Sequence, residues 1–306
     1  MRQPAGDPRR FRFDPMEITP ALILNAVIAG LLIGGFYAAV SVGVSISFGM
    51  LDVVNIAHPA FILVGSYIAY IVNDRFGFDP ILVSLVVSPL FFALGLGIYR
   101  VYYVCFERRG QESLRGLAFF FGILFITEVA LVLIFGVDYR TASTAYTDTT
   151  LRLGGIDFPL RLVVPFAVSM AMVVGLQVFF THTFFGRAVL AVAQDQLALR
   201  LMGVDPVRIK GLAFALSIAT ASVAGAFLIV IQPVQPSIGR EYIGLVFAVC
   251  VLGGMGSIWG TLIGALVLGV AESFTSTFVG PSWAPAVSFG LLLATLAFRP
   301  SGILGR

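Results

Sequence analysis

The chain has 306 residues, 58% hydrophobic and only 11% charged, with a mean hydropathy of +0.99; soluble domains carry roughly 25% charged residues, so a water-soluble globular domain is excluded. A formal charge of +3, with no basic cluster beyond short loops, leaves nucleic acid no surface to bind. Cys105 and Cys250 stand in or beside apolar runs and read as buried thiols rather than a redox or metal pair.

Residues 1–17 read as a polar tail with Arg2, Arg9, Arg10 and Arg12, and the apolar run behind it is too long for a secretory signal core. A membrane-spanning helix needs about 20 apolar residues. Runs of that order occur at 21–50, 56–72, 80–99, 117–137, 162–181, 211–237 and 242–271, with a shorter one at 283–298. They are apolar on every face, whereas barrel strands alternate in polarity. The predicted fold is an all-α integral membrane protein with eight or nine transmembrane helices and glycine-rich breaks, occupying 18–306.

Within the first run, Ala26, Gly30, Gly34 and Ala38 recur every four residues, a ridge for close helix packing. Asp52, Asn55, His58 and Pro59 then interrupt the apolar pattern, and Pro59 disfavours mid-helix. This stretch is either a loop at the membrane face or a helix break that turns Asn55 and His58 into a path. Glu128 and Glu272 lie inside apolar runs, where carboxylates are costly and serve either a pathway or a structural hydrogen bond. No basic residue is predicted mid-span to pair with them, Arg240 lying near a membrane face. His182, at a membrane face, is given no role. The stretch 252–260 (LGGMGSIWG) holds Gly253, Gly254, Gly256 and Gly260; each glycine costs about 1 kcal/mol in a helix relative to alanine, so a break is predicted here. Gly256, Gly260 and Gly264 make a second four-residue ridge, and Ala221 with Gly225 a shorter one.

Basic loops favour the cytoplasm. Arg100, Arg108, Arg109 and Arg115 fall in one loop, Arg187, Arg200, Arg208 and Lys210 in another, and Arg299 and Arg306 in the C-terminal tail. All three share a side if 117–137 and 162–181 each cross once. The arginine-rich tail at 1–17 then falls on the wrong side, unless 21–50 bends at Gly34-Gly35 and adds a partial crossing.

The loop at 186–210 is the main segment built to meet water. Its spacing predicts one helix from Arg187 to Met202, with Ala188, Ala191, Val192, Asp195, Ala198, Leu199 and Met202 on a mostly apolar stripe. Gly203 is a stop, and Asp205-Pro206 caps a second helix. The first helix either lies on the bilayer or docks into a groove of a soluble partner; its small alanines favour protein contact.

Five motifs carry a family resemblance: GGFYAAVSVGVSISFG (34–49), NIAHPAFILVGSYIA (55–69), GRAVLAVAQDQLALRLMGV (186–204), VLGGMGSIWGTLIGALVLGVAES (251–273) and RPSGILG (299–305). In order and spacing the chain resembles permease subunits of branched-chain amino acid ABC importers of the Liv type. It departs from them at Pro59, where glycine is usual, at Trp259 and Thr261, which flank Gly260 where proline and alanine are usual, and at Leu197, where the wider importer pattern has glutamate.

The resemblance implies a permease domain, 18–306, in the cell inner membrane, with no cofactor of its own, no catalytic residues and no metal site. ATP is expected to be used by two cytoplasmic ATPase subunits. The sequence has no phosphate-binding loop, Lys210 being its single lysine. A second homologous permease subunit, a periplasmic solute-binding protein and the lipid bilayer are the other implied partners. Arg187, Asp195, Arg200, Met202 and Gly203 are the implied ATPase contact, with 187–204 as coupling helix. Asn55, His58, Glu128, Gly253, Gly254, Gly256, Ser257 and Glu272 are the candidate substrate path. Gly30, Gly34, Gly256, Gly260 and Gly264 are the candidate packing glycines. The expected solute is a branched-chain or other apolar amino acid, with urea or short amides as an alternative. The rival reading is an ion-coupled secondary transporter using Glu128 and Glu272.

Overall fold

In hydrocarbon every backbone N–H and C=O must be paired within the protein, so apolar runs of this length become helices. The computed structural model describes residues 19–110, 112–153 and 156–305; the tail expected at 1–17, and Arg306, lie outside them. Among the described residues the helices are α1 (Pro20–Val44), α2 (His58–Phe76), α3 (Pro80–Cys105), α4 (Glu112–Phe135), α5 (Leu160–His182), α6 (Phe184–Gln194), α7 (Gln196–Leu201), α8 (Pro206–Ile231), α9 (Gly239–Gly253), α10 (Ile258–Phe278) and α11 (Ala284–Phe298). A small antiparallel hairpin, β1 (Thr150–Leu153) and β2 (Ile156–Pro159), pairs Thr150 with Pro159 and Arg152 with Asp157. The chain is an all-α membrane protein.

Helix starts rest on a repeated device, a capping side chain ahead of a proline. Thr19 caps α1 ahead of Pro20, Asp79 accepts from the amides of Ile81 (2.8 Å) and Leu82 (3.3 Å) ahead of Pro80, and Asp205 accepts from Val207 N (3.0 Å) ahead of Pro206. Each side chain satisfies an amide with no partner in its helix, and proline has no amide to waste.

Seven helices among the described residues are long and apolar enough to cross a membrane, fewer than the eight or nine predicted. One physical reason separates the eight apolar runs from the seven long spans. α2 carries His58 at its start and Asn73, Asp74 and Arg75 at its end, which dilute its hydropathy. The run 242–271, read as one span, is divided at the glycines into the 15-residue α9 and the separate α10.

The bend considered at Gly34-Gly35 is absent: α1 runs through both glycines and changes only at Ser45–Met50, which winds as a π-helix. It is therefore one uninterrupted candidate span. Its first turns lie beside the hairpin, where Asp157 N donates to Asn25 Oδ1 (3.4 Å), on the face opposite the basic loops.

α8 is sheathed by α1, α2 and α3, while α10 lies along α1. These contacts are backbone-close. A Cβ on Gly30 would lie 2.6 Å from Val270 Cα, and one on Gly34 would lie 2.8 Å from Leu266 Cα. Gly225 of α8 sits equally tightly on α2, where a Cβ would lie 2.3 Å from Ile62 O. Lipid gives helices no hydrophobic reason to associate, so such close packing supplies the attraction. On the face opposite the basic loops, Asn73 donates to Ser143 O (3.2 Å) and Tyr146 to Asp79 Oδ2 (2.8 Å). Burial and that carboxylate raise the Tyr146 phenol above its usual range.

Candidate functional site

The glycine-rich stretch forms a turn at 254–257. Gly254 and Gly256 take φ of 102° and 80°, a region that side-chain-bearing residues avoid. Ser257 then restarts the helix by accepting from Gly260 N (3.0 Å). The carbonyls left open at the end of α9 are met from the far end of the chain: Ile303 N donates to Leu252 O (2.9 Å) and Leu304 N to Gly253 O (3.0 Å). Gly260 and Gly264 face Gly253, but Gly256 lies outside α10 and packs on Gly49, so the predicted three-glycine ridge is not one helix face. Beside this turn is a cavity of about 620 Å³. Gln177 and Phe180 of α5 wall one side, Leu190 and Gln194 of α6 another, and Gly256 and Ser257 come from the turn itself.

The helix predicted from Arg187 to Met202 is two helices, α6 and α7. Asp195 breaks it by taking an extended backbone (φ −152°, ψ 104°) and accepting from Leu197 N (2.8 Å) and Ala198 N (2.9 Å). Aspartate competes for local amides in this way, and here the cap wins over continuation. The break re-phases residues 196–202. Ala188, Val192 and Leu199 are buried, but Met202 turns outward at 79% exposure beside exposed Leu197 and Leu201. Arg187, Asp195 and Arg200 are exposed as well. Gly203 has φ of 79° and closes α7.

The two intramembrane acids both have partners. Arg240 Nη2 lies 2.7 Å from Glu128 Oε1: the first turn of α9 brings this arginine, which the sequence puts near a membrane face, against α4. Glu272 is buried and accepts from Tyr37 OH (2.6 Å) and from Ser288 Oγ. Glu272 also lines a second cavity, of about 480 Å³, with Tyr37, Gln232, Arg240, Tyr242 and Phe289. Sequence reasoning did not find these neighbours. Tyr37 and Glu272 are 235 residues apart, and neither tyrosine nor serine marks itself in an apolar run.

Asn55 and His58 stand apart from both cavities. Asn55 is buried and accepts from Ala57 N (3.1 Å); His58 is 0% exposed at the first position of α2, against Gly43 and Thr220. The arrangement thus brings Gly256 and Ser257 to one cavity and Glu272 to the other. Gly253 and Gly254 are packed by Gly260 and by the 302–305 segment. Among the described residues no three His, Cys, Asp or Glu are grouped as a metal requires.

The family described as "Branched-chain amino acid transport system / permease component" matches residues 26–296. The chain belongs to this family. It is similar to the high-affinity branched-chain amino acid transport system permease protein BraD of Pseudomonas aeruginosa, at 30% identity over 92% of this chain and 96% of BraD. The corresponding protein LivH of Salmonella typhimurium is 29% identical over 92% of this chain and 96% of LivH. LivM of Escherichia coli, named as a permease protein of the same type of system, is 26% identical over 88% of this chain and 67% of LivM. The permease is a multi-pass membrane transport component and not an enzyme.

Proposed function

We propose that this permease is one membrane subunit of an ATP-driven ABC importer for branched-chain or other apolar amino acids, working in the cell inner membrane. The observation that carries the reading, beside the family match, is the shared wall of the 620 Å³ cavity: α6 lies between it and the exposed Leu197, Leu201 and Met202. A soluble partner that grips this apolar knob moves a cavity wall directly. Two cytoplasmic ATPase subunits fill that role, Arg187, Asp195, Arg200, Met202 and Gly203 forming the contact. LivH and LivM are differently named permease proteins that both resemble this chain, which supports a second, homologous permease subunit as partner. A periplasmic binding protein supplies the solute on the opposite face.

In this reading the solute enters beside Glu272 and leaves past Gly256 and Ser257. Gly253 and Gly254 shape the break, Glu128 and Arg240 tie the rim, and Asn55 and His58 anchor the start of α2. α2 and α9 are two further crossings beside the seven long spans, and the transmembrane domain covers 18–306. The basic loops face the cytoplasm.

Reconstitution tests the whole reading. Proteoliposomes holding the permease, a homologous partner subunit, the ATPase pair and the binding protein take up leucine, isoleucine or valine only with ATP. Uptake of urea or short amides in place of these would replace the solute assignment. Uptake by this chain alone under a proton or sodium gradient would overturn the ATP-driven reading in favour of the secondary transporter.

A further inference from the structure

Where α3 meets α8 on the basic face, two hollows adjoin that the transport path does not use. The first is polar, about 260 Å³, and is lined by Tyr103, Arg108, Gln196, Arg200 and Lys210 around Glu107. The second is a mostly apolar groove of about 600 Å³ between the two helices, with Leu96, Tyr99 and Leu212 on its walls and Arg100 and Arg208 at its edge. Tyr103 and Val207 line both.

The acids here are already engaged. Glu107 takes Lys210 Nζ at 2.7 Å on one oxygen and Tyr99 OH at 2.9 Å on the other. Asp205 holds Arg208 at 3.4 Å. Arg108 in the polar hollow and Arg100 on the groove make no ion pair among the described residues, so the two together present uncompensated positive charge beside an apolar slot. We propose that an anionic phospholipid occupies the pair, its phosphate headgroup between Arg100 and Arg108 and one acyl chain in the α3–α8 groove. Basic pockets between membrane helices at the cytoplasmic side suit such headgroups. A free phosphate matches the charge but leaves the groove uncovered. The lipid would bridge α3 to the α7–α8 turn and so hold the loop that carries Met202 beside the bundle.

The test is native mass spectrometry of the full-length permease in detergent, titrated with phosphatidylglycerol, phosphatidylcholine or inorganic phosphate. One phosphatidylglycerol is retained per chain, phosphatidylcholine is not retained at the same concentration, and millimolar inorganic phosphate does not displace the lipid. The double variant Arg100→Gln, Arg108→Gln loses about fivefold in affinity per charge removed. Arg75→Gln, on the opposite face, changes nothing. A melting curve matching the parent shows that the double variant is folded; if it does not fold, the lipid comparison on the parent chain decides alone. Equal retention of both lipids, or displacement by inorganic phosphate, overturns the proposal. So does loss of the lipid when ATPase subunits are added, which would assign the arginines to that protein interface.

Discussion

A methyl group on Gly253 would sit 2.2 Å from the carbonyl oxygen of Gly260, and neither backbone can yield without moving a helix. Gly253→Ala should therefore sharply lower the melting temperature in detergent and deplete the protein from membranes. Gly97→Ala meets nothing within 4 Å and should hold or raise it, since alanine gains about 1 kcal/mol over glycine in a helix. If the two variants melt alike, the close approach is not the constraint. At Glu272 the partners are hydroxyl donors, so Glu272→Gln, which keeps an acceptor, should leave ATP-driven uptake within about twofold. Glu272→Ala strands Tyr37 and Ser288 at a cost of about 1–3 kcal/mol, read as a lower melting point. Abolished uptake in the glutamine variant would show that the charge itself is used. The Asp205-Pro206 cap was legible in sequence because cap and helix are neighbours. The Glu272 cluster was not, because its members come from α1, α10 and α11 and meet only when those helices pack.

Among the elements, the exposed loop shows how a short local bond outweighs a periodic pattern. Three-and-four spacing across Arg187–Met202 suggested one rod, and its apolar positions are buried at Ala188, Val192 and again at Leu199, but not at Ala198 or Met202. The pattern could not register that the Asp195 carboxylate would capture two amides and restart the helix in a new phase. An aspartate placed to cap the next helical turn is the signal that was available. Removing it is informative. Asp195→Ala should cost about 1 kcal/mol locally, let α6 and α7 fuse, and swing Leu201 and Met202 off their present face. In the assembled transporter the expected outcome is fewer solutes carried per ATP hydrolysed. An unchanged ratio would mean that the break plays no part in coupling.

For the whole molecule, length and hydropathy gave the all-α membrane class directly, while the number of spans depended on where glycine and polar residues interrupt the runs. α2 and α9 were the elements a hydropathy count handles worst: one is polar at both ends, the other is short. α10 runs from the cavity near Ser257 to the cavity at Glu272 and is locked to α1 by backbone contact at Gly30 and Gly34. The pair should tilt as one body. With Cys105 and Cys250 replaced, single cysteines at Ala193 and Ala284 report on the two cavities. Their labelling rates by a water-soluble maleimide should move in opposite directions when ATP is added to the full assembly. A parallel rise at both sites would rule out a rigid pair.

α11 contributes Ser288 as its one fully enclosed side chain among the described residues, yet it is fastened at both ends, through Ser288 to Glu272 and through Ile303 and Leu304 to the last carbonyls of α9. It hangs like a door leaf on two pins. The leaf also lies along α9 and α10, so the load on its lower pin is set by whatever shifts the end of α9. Cutting 302–305 would free that pin, leaving two carbonyls without their donors and a leaf that no longer moves with its frame.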